Sequence, residues 1–178
     1  LPEPEIVRRE QELKSRYAIL RQPGGKPLVQ ALRKTASLSL QGSEALPQLI
    51  QRVGSQDAAV RYWALIGIGN LAMKATVAQK ITQSSLKDES PSVKIAAARA
   101  LCHMNQPEQA LTVLVQQLKS EHEWVRLNAA IVLDEIDDQA RPAIQDLQAA
   151  LKDKQNKYVV RVANRALNEL LGTSNTVP

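Results

Sequence analysis

Apolar positions return along this chain at a nearly fixed interval, and that interval is the length of a helix pair. Val60, Val93, Val125 and Val159 mark it. Four residues on come Ala64, Ala97, Ala129 and Ala163; eight on, Ile68, Leu101, Leu133 and Leu167; eleven on, Leu71, Met104, Ile136 and Leu170. Steps of four, four and three keep these side chains on one face of an α-helix, which predicts a buried stripe on each of four helices. The seventh position holds Gly67, Ala100, Val132 and Ala166, small or medium residues that let a neighbouring helix approach along that line. A second set of columns precedes each stripe: Ala45, Ala78, Ala110 and Ala143, then Val53, Leu86, Leu118 and Leu151 eight residues later. The step from this last column to the valines is the same in three units and one longer in the fourth, where "KDKQNKY" carries an extra residue. Insertions belong in turns. Each unit therefore reads as a helix, a tight polar turn and a second helix. A lone pair cannot bury its stripe, so the units must stack into a continuous core.

Outside the units, "EPEIVRREQELKSRYAIL" predicts a charged amphipathic helix, with Pro4 near its start and Ile6, Leu13, Tyr17 and Leu20 as a broken apolar stripe. "RQPGGKP" breaks it, and "PLVQALRKTASLSL" predicts a further helix, with Leu28, Leu32 and Leu38 or Leu40 as apolar positions capping the first unit. Gly172 is the expected helix stop before a loose "GTSNTVP". The expected organisation is thus an N-terminal helical segment, linker and cap over residues 1–41, the array over 42–172 and a flexible tail over 173–178. The opening "LPEPEIVRRE" has neither Met nor a signal peptide, which suggests a piece of a longer chain or a processed product and leaves the compartment open.

Composition agrees with helices. Ala, Leu and Gln are abundant, Gly numbers seven and Phe is missing, and unbranched side chains lose little entropy in a helix. Charge adds less: 23 basic against 18 acidic residues leave +5, which permits an anionic partner only where it is focused. One cysteine excludes an internal disulfide, two histidines give no zinc spacing, and no apolar run approaches the roughly 18 residues of a membrane span.

The second helices carry a recognisable motif. "WVRLNAAIVL", residues 124–133, resembles the V-R-x-x-A-A-x-A-L pattern of a short HEAT-type repeat after an acidic turn. "SVKIAAARAL" keeps Lys94 in the basic position, whereas the fourth unit has Val160 there and Arg161 one place late. The resemblance spans residues 43–172 and implies an all-α fold, an α-solenoid of about four HEAT-like helix pairs with an N-terminal helical segment. Such folds host many functions. The junction "LPEPEIVRREQELKSRYAILRQPGG" with "AAVRYWALIGIGNLA" also resembles the C-terminal HEAT-like extension of bacterial sulfatases. That likeness implies a parent enzyme that removes sulfate from glycans and is periplasmic or secreted. The catalytic C-x-P-x-R motif of that family, or its serine counterpart, is missing here, so this stretch is expected to be non-catalytic.

Candidate chemistry is sparse. Arg61, Lys94 and Arg126 sit in first turns, where positive charge opposes the helix dipole, so the acids of the preceding turns (Asp57, Asp88 or Glu89, Glu121 or Glu123, Asp153) are expected to compensate in an internal ladder. Tyr62, Trp124 and Tyr158, with Arg126 and Arg161, are candidates for a surface that stacks on sugars, bases or protein; the competing reading packs them into the seams. Cys102 follows a core leucine and reads as a small buried residue, His103 and His122 as surface histidines, and "DEIDD" (134–138) as a solvated helix end. No catalytic set, metal site or cofactor is expected. The expected partner is protein, either a catalytic domain or another subunit, with a sulfated glycan second. A free-standing scaffold, a nucleic-acid-binding HEAT protein and a bilin-lyase-like role are the alternatives.

Overall fold

The computed structural model of the chain describes residues 25–177 together with Arg8, Gln11 and Glu12. The helix expected over residues 3–20 thus lies largely outside the described residues. Among those described, all regular structure is helical. In chain order the α-helices are α1 (Gly25–Leu38), α2 (Leu46–Val53), α3 (Ala58–Leu71), α4 (Gln79–Ser85), α5 (Pro91–His103), α6 (Pro107–Leu118), α7 (Glu123–Glu135), α8 (Ile144–Ala150) and α9 (Lys157–Leu171). Short 3-10 turns, Gly42–Ala45, Ala72–Ala78 and Asp137–Ala143, lead into α2, α4 and α8.

The columns are the core. Ala64, Ala97, Ala129 and Ala163 are fully buried, as are Ile68, Leu101 and Leu133, while Leu49, Leu114 and Leu147 from the first helices close the other side. Burying each such leucine contributes about 1.5–3 kcal/mol, so the stack holds itself together only as an array. α3 packs on α5, α5 on α7 and α7 on α9, whereas the first helices α2, α4, α6 and α8 touch one another only marginally. The second helices thus form the more closely packed layer of the α-solenoid. Small residues permit this approach: a Cβ on Gly69, outside the small column, would stand 3.1 Å from the Ala100 Cα of the next second helix, and one on Gly67, within it, would stand 2.8 Å from a Leu49 methyl of its own unit's first helix.

Each second helix in the first three units stops at a residue with positive φ: Ala72 (49°), Asn105 (58°) and Asp137 (48°), spaced like the valines. Asn and Asp tolerate this region through local hydrogen bonding; Ala72 has no such compensation. α9 stops at Gly172 in the left-handed region, as its sequence suggests. Beyond it, Asn168 ties the tail back through its side chain, accepting from the Asn175 N–H at 2.9 Å and donating to its carbonyl at 2.8 Å.

α1 extends the array. It packs on α3 as a second helix would, and Ala31, Thr35 and Leu38 stand one repeat length before Ala64, Ile68 and Leu71. Thr35 is fully buried, donating to the Ala31 carbonyl at 2.8 Å and accepting from the Arg52 guanidinium at 2.8 Å. Of the two alternative apolar positions, Leu38 is buried and Leu40 is 85% exposed.

Candidate functional site

The turns between paired helices line up along one edge of the solenoid, and the first-turn cations stand there. Arg61 donates from Nε and Nη2 to the two carboxylate oxygens of Asp88 at 2.8 and 2.9 Å, and from Nη1 to the carbonyls of Ser55 and Gln56 at 2.9 and 3.1 Å. Arg126 repeats the arrangement two units later: Nε and Nη2 reach Asp153 at 2.6 and 3.2 Å, and Nη1 reaches the carbonyls of Ser120 and Glu121 at 2.8 and 2.9 Å. The ladder is internal, as expected, but its carboxylates belong to the following turn rather than the preceding one. The preceding turn supplies carbonyls just past the C-terminus of a first helix, where the negative end of the dipole favours a cation. Each guanidinium therefore clamps two units. The pairing raises the Arg61 pKa, chiefly through the Asp88 hydrogen bonds, and holds Asp153 below the usual carboxylate range, chiefly through Arg126.

Lys94 occupies the same position in the second unit, and Glu121 stands where Asp88 and Asp153 serve the arginines. Among the described residues, no side-chain ion pair joins Lys94 to Glu121. The ladder has two closed rungs around an open one. Asp57, at the head of the first turn, caps α3 by accepting from Ala59 and Val60 N–H at 2.8 and 3.2 Å.

A second polar line crosses the other end of the second helices. Arg99 on α5 reaches the Glu135 carboxylate on α7 at 2.6 to 3.0 Å and Asn70 on α3 at 3.1 Å, so one side chain bridges three units. His103 approaches Glu135 at 3.4 Å. Burial pushes the His103 pKa down, whereas Arg99 holds Glu135 low. Asp134, buried, pairs with Arg165 on α9. Within "DEIDD", Asp134 and Glu135 are therefore inter-helix contacts, with His103 beside Glu135, whereas Asp137 and Asp138 form the exposed helix end that the sequence suggests; His122 is exposed. Cys102 is buried and desolvation raises its thiol to about 12, so it stays protonated and inert at neutral pH.

The aromatic candidates divide. Tyr62 meets Trp63 edge-on at 5.5 Å and lines a groove of about 160 Å³ on the second-helix face, with Ile66, Ile95 and Ile131. Trp124, at the start of α7, is 66% exposed, and Tyr158, at the start of α9, is 50% exposed. Lys157 Nζ and the Arg161 guanidinium lie 5.5 and 5.9 Å from the Tyr158 ring centre, whereas Arg126 is turned to Asp153. Among the described residues, no group of three His, Cys, Asp or Glu side chains could hold a metal ion. None of the described helices is long and apolar enough to cross a membrane.

The family model for HEAT repeats matches residues 78–168, just over half of the chain. The chain belongs to the HEAT-repeat family. This HEAT array superposes on the complex of CpcE and CpcF of phycocyanin lyase from Nostoc sp. PCC7120 with a TM-score of 0.57, at 20% identity over 84% of this chain and 94% of that one. An engineered protein gives a TM-score of 0.55 at 22% identity, over 78% of this chain and 71% of its own. At these identities the likeness is one of fold. No curated protein matches the chain.

Proposed function

We propose that this HEAT array is a non-catalytic interaction domain, the C-terminal accessory domain of a sulfatase-like hydrolase acting on sulfated glycans, and that it holds the catalytic domain or another subunit. The observation that carries the parent enzyme is the "LPEPE" junction followed by "AVRYWA" in the first unit. An interaction role is supported by the HEAT family itself and by exposed Trp124 and Tyr158, the kind of rigid, amphipathic side chain that anchors partners. The phycocyanin lyase neighbour is a complex of two chains, in keeping with a protein partner. Arg61 and Arg126 are already engaged by Asp88 and Asp153, which favours protein over a phosphate or sulfate backbone as the main partner of that edge.

Sequencing the gene upstream of the Leu1 codon tests the parentage. The expected result is an open frame with an export signal and C-x-P-x-R or S-x-P-x-R, whose expressed catalytic domain co-elutes with this chain. A frame without the motif removes the sulfatase and leaves a scaffold.

A further inference from the structure

The fourth turn is the one that carries the inserted residue. At the turn edge between the third and fourth units lies an open groove of about 320 Å³, bordered by that turn through Lys152, Asp153, Lys154 and Gln155. Its apolar floor is Leu118, Ala149, Ala150 and Val159, with no aromatic ring among the lining residues. The charged groups around it are Lys119, Arg126, Lys152 and Lys154 against Asp146 and Asp153. Both acids are already engaged, Asp146 by Lys119 at 2.7 Å and Asp153 by Arg126 at 2.6 Å, so the two exposed lysines of the turn are the uncompensated charge.

The geometry points to a binding groove for an acidic peptide segment of a protein partner, its carboxylates on Lys152 and Lys154 and an aliphatic side chain against the accessible Ala149 and Ala150 methyls. The inference rests on the interaction-domain reading and names the chemistry of its partner. An aliphatic floor suits a leucine or valine side chain, whereas a sugar face calls for a ring to stack on. Charge complementarity of this sort sets specificity and is screened by salt.

The test uses the full chain and a fluorescein-labelled octapeptide of alternating glutamate and leucine, read by anisotropy, beside its lysine–leucine counterpart and a sulfated heparin octasaccharide. The acidic peptide is expected to bind, and Lys152→Glu/Lys154→Glu is expected to weaken it about tenfold, equivalent to roughly 1.4 kcal/mol. The remote exposed pair Lys80→Glu/Lys87→Glu should leave it unchanged. All four lysines are exposed, and circular dichroism verifies that the variants stay folded. Equal weakening by both pairs, no binding of the acidic peptide, or preference for the octasaccharide overturns the groove. If the groove fails while the chain still co-elutes with a catalytic domain, the accessory-domain reading stands; the converse leaves the groove and removes the parent.

Discussion

The outer seams of this solenoid and its middle seam are built from the same columns and closed differently. Between the first and second units, and again between the third and fourth, an arginine grips the next turn's aspartate and its own turn's carbonyls with its whole guanidinium. At the middle seam no described carboxylate pairs with Lys94, and closure passes to Arg99 and Glu135 at the opposite end of the helices. α5 and α7 share less contact than α3 and α5, and the 160 Å³ groove opens across these helices. The outer seams are thus held at both ends, at the turns by Arg61 and Arg126 and at the far end by Arg99 on Asn70 and Arg165 on Asp134, whereas the middle seam is held at the far end alone. The lesson is that a repeat fixes which residues face a seam, while single side chains decide where it is held.

The sharpest way to break this contrast is to remove one outer rung. Arg126 and Asp153 are 12% and 6% exposed in their side chains, so Arg126→Ala strands a nearly buried carboxylate and three further acceptors. Asp153 keeps its bonds from the Gln155 and Asn156 N–H groups, so the cost should be about 1.5–3 kcal/mol, the range for hydrogen bonds to a charged group. Lys94→Ala, which strands no described carboxylate, should stay within about 0.5 kcal/mol. Urea unfolding of both variants checks this; similar losses would erase the distinction between the seams.

The next effect is steric. Gly69 lies against α5, where a Cβ would come within 3.1 Å of the Ala100 backbone and 3.0 Å of the Arg99 guanidinium. Gly69→Ala should therefore force α3 and α5 apart and cost about 1–3 kcal/mol, as overpacking does. Gly54→Ala meets only the Gln51 carbonyl at 3.5 Å and has negative φ, so it should be neutral or stabilise by up to about 1 kcal/mol. Thermal melts of the pair settle whether close approach or glycine flexibility matters at the first seam.

Much of this was legible beforehand. The four-unit register, the buried alanine and leucine columns, the extra residue in the fourth turn and the Gly172 stop all follow from spacing alone. α1 escaped recognition as a second helix because Lys34 and Thr35 stand where the other units have small and large apolar residues. The rung direction was hidden because an acid in a turn lies between two helix starts, and sequence cannot say which cation it serves. The Asp134–Arg165 and Arg99–Glu135 pairs span 31 and 36 residues, with no local pattern to announce them. A signal did exist: Arg99 and Arg165 share the column two residues before the Leu101 and Leu167 positions.

The middle seam also differs in carrying a titratable group. His103 is disfavoured in its charged form, mainly by burial and then by Arg99, so its folded pKa lies below the unfolded value of about 6.5. The unfolded chain then binds more protons as pH falls through that value, and stability must fall with it. Asp153 in the last rung, depressed by Arg126, contributes above about pH 4 and loses its contribution as pH falls through its lower folded pKa. Denaturation at pH 7.5 and 5.5 should show a decline in the wild type that His103→Gln reduces and Asp153→Asn leaves in place. An unchanged decline in His103→Gln would assign it elsewhere.

The smallest effect is the most diagnostic, because it attempts to build the missing rung. Lys94 is a point charge without the forked donors that let Arg61 and Arg126 bind carboxylate and carbonyls at once. Glu121 is one methylene too long to act as Asp88 and Asp153 do, each holding its carboxylate in place by accepting from a turn N–H, that of Ser90 at 2.9 Å and that of Gln155 at 2.8 Å. Both partners must therefore change. Lys94→Arg and Glu121→Asp should each shift stability by a few tenths of a kcal/mol, while the double variant gains about 1 kcal/mol, and the excess over the singles is the rung energy. A double variant that is merely additive would mean that α5 and α7 stand too far apart at the turn edge for any side chain to close the seam there. The seam would then be set by helix packing, and the open rung would be its consequence.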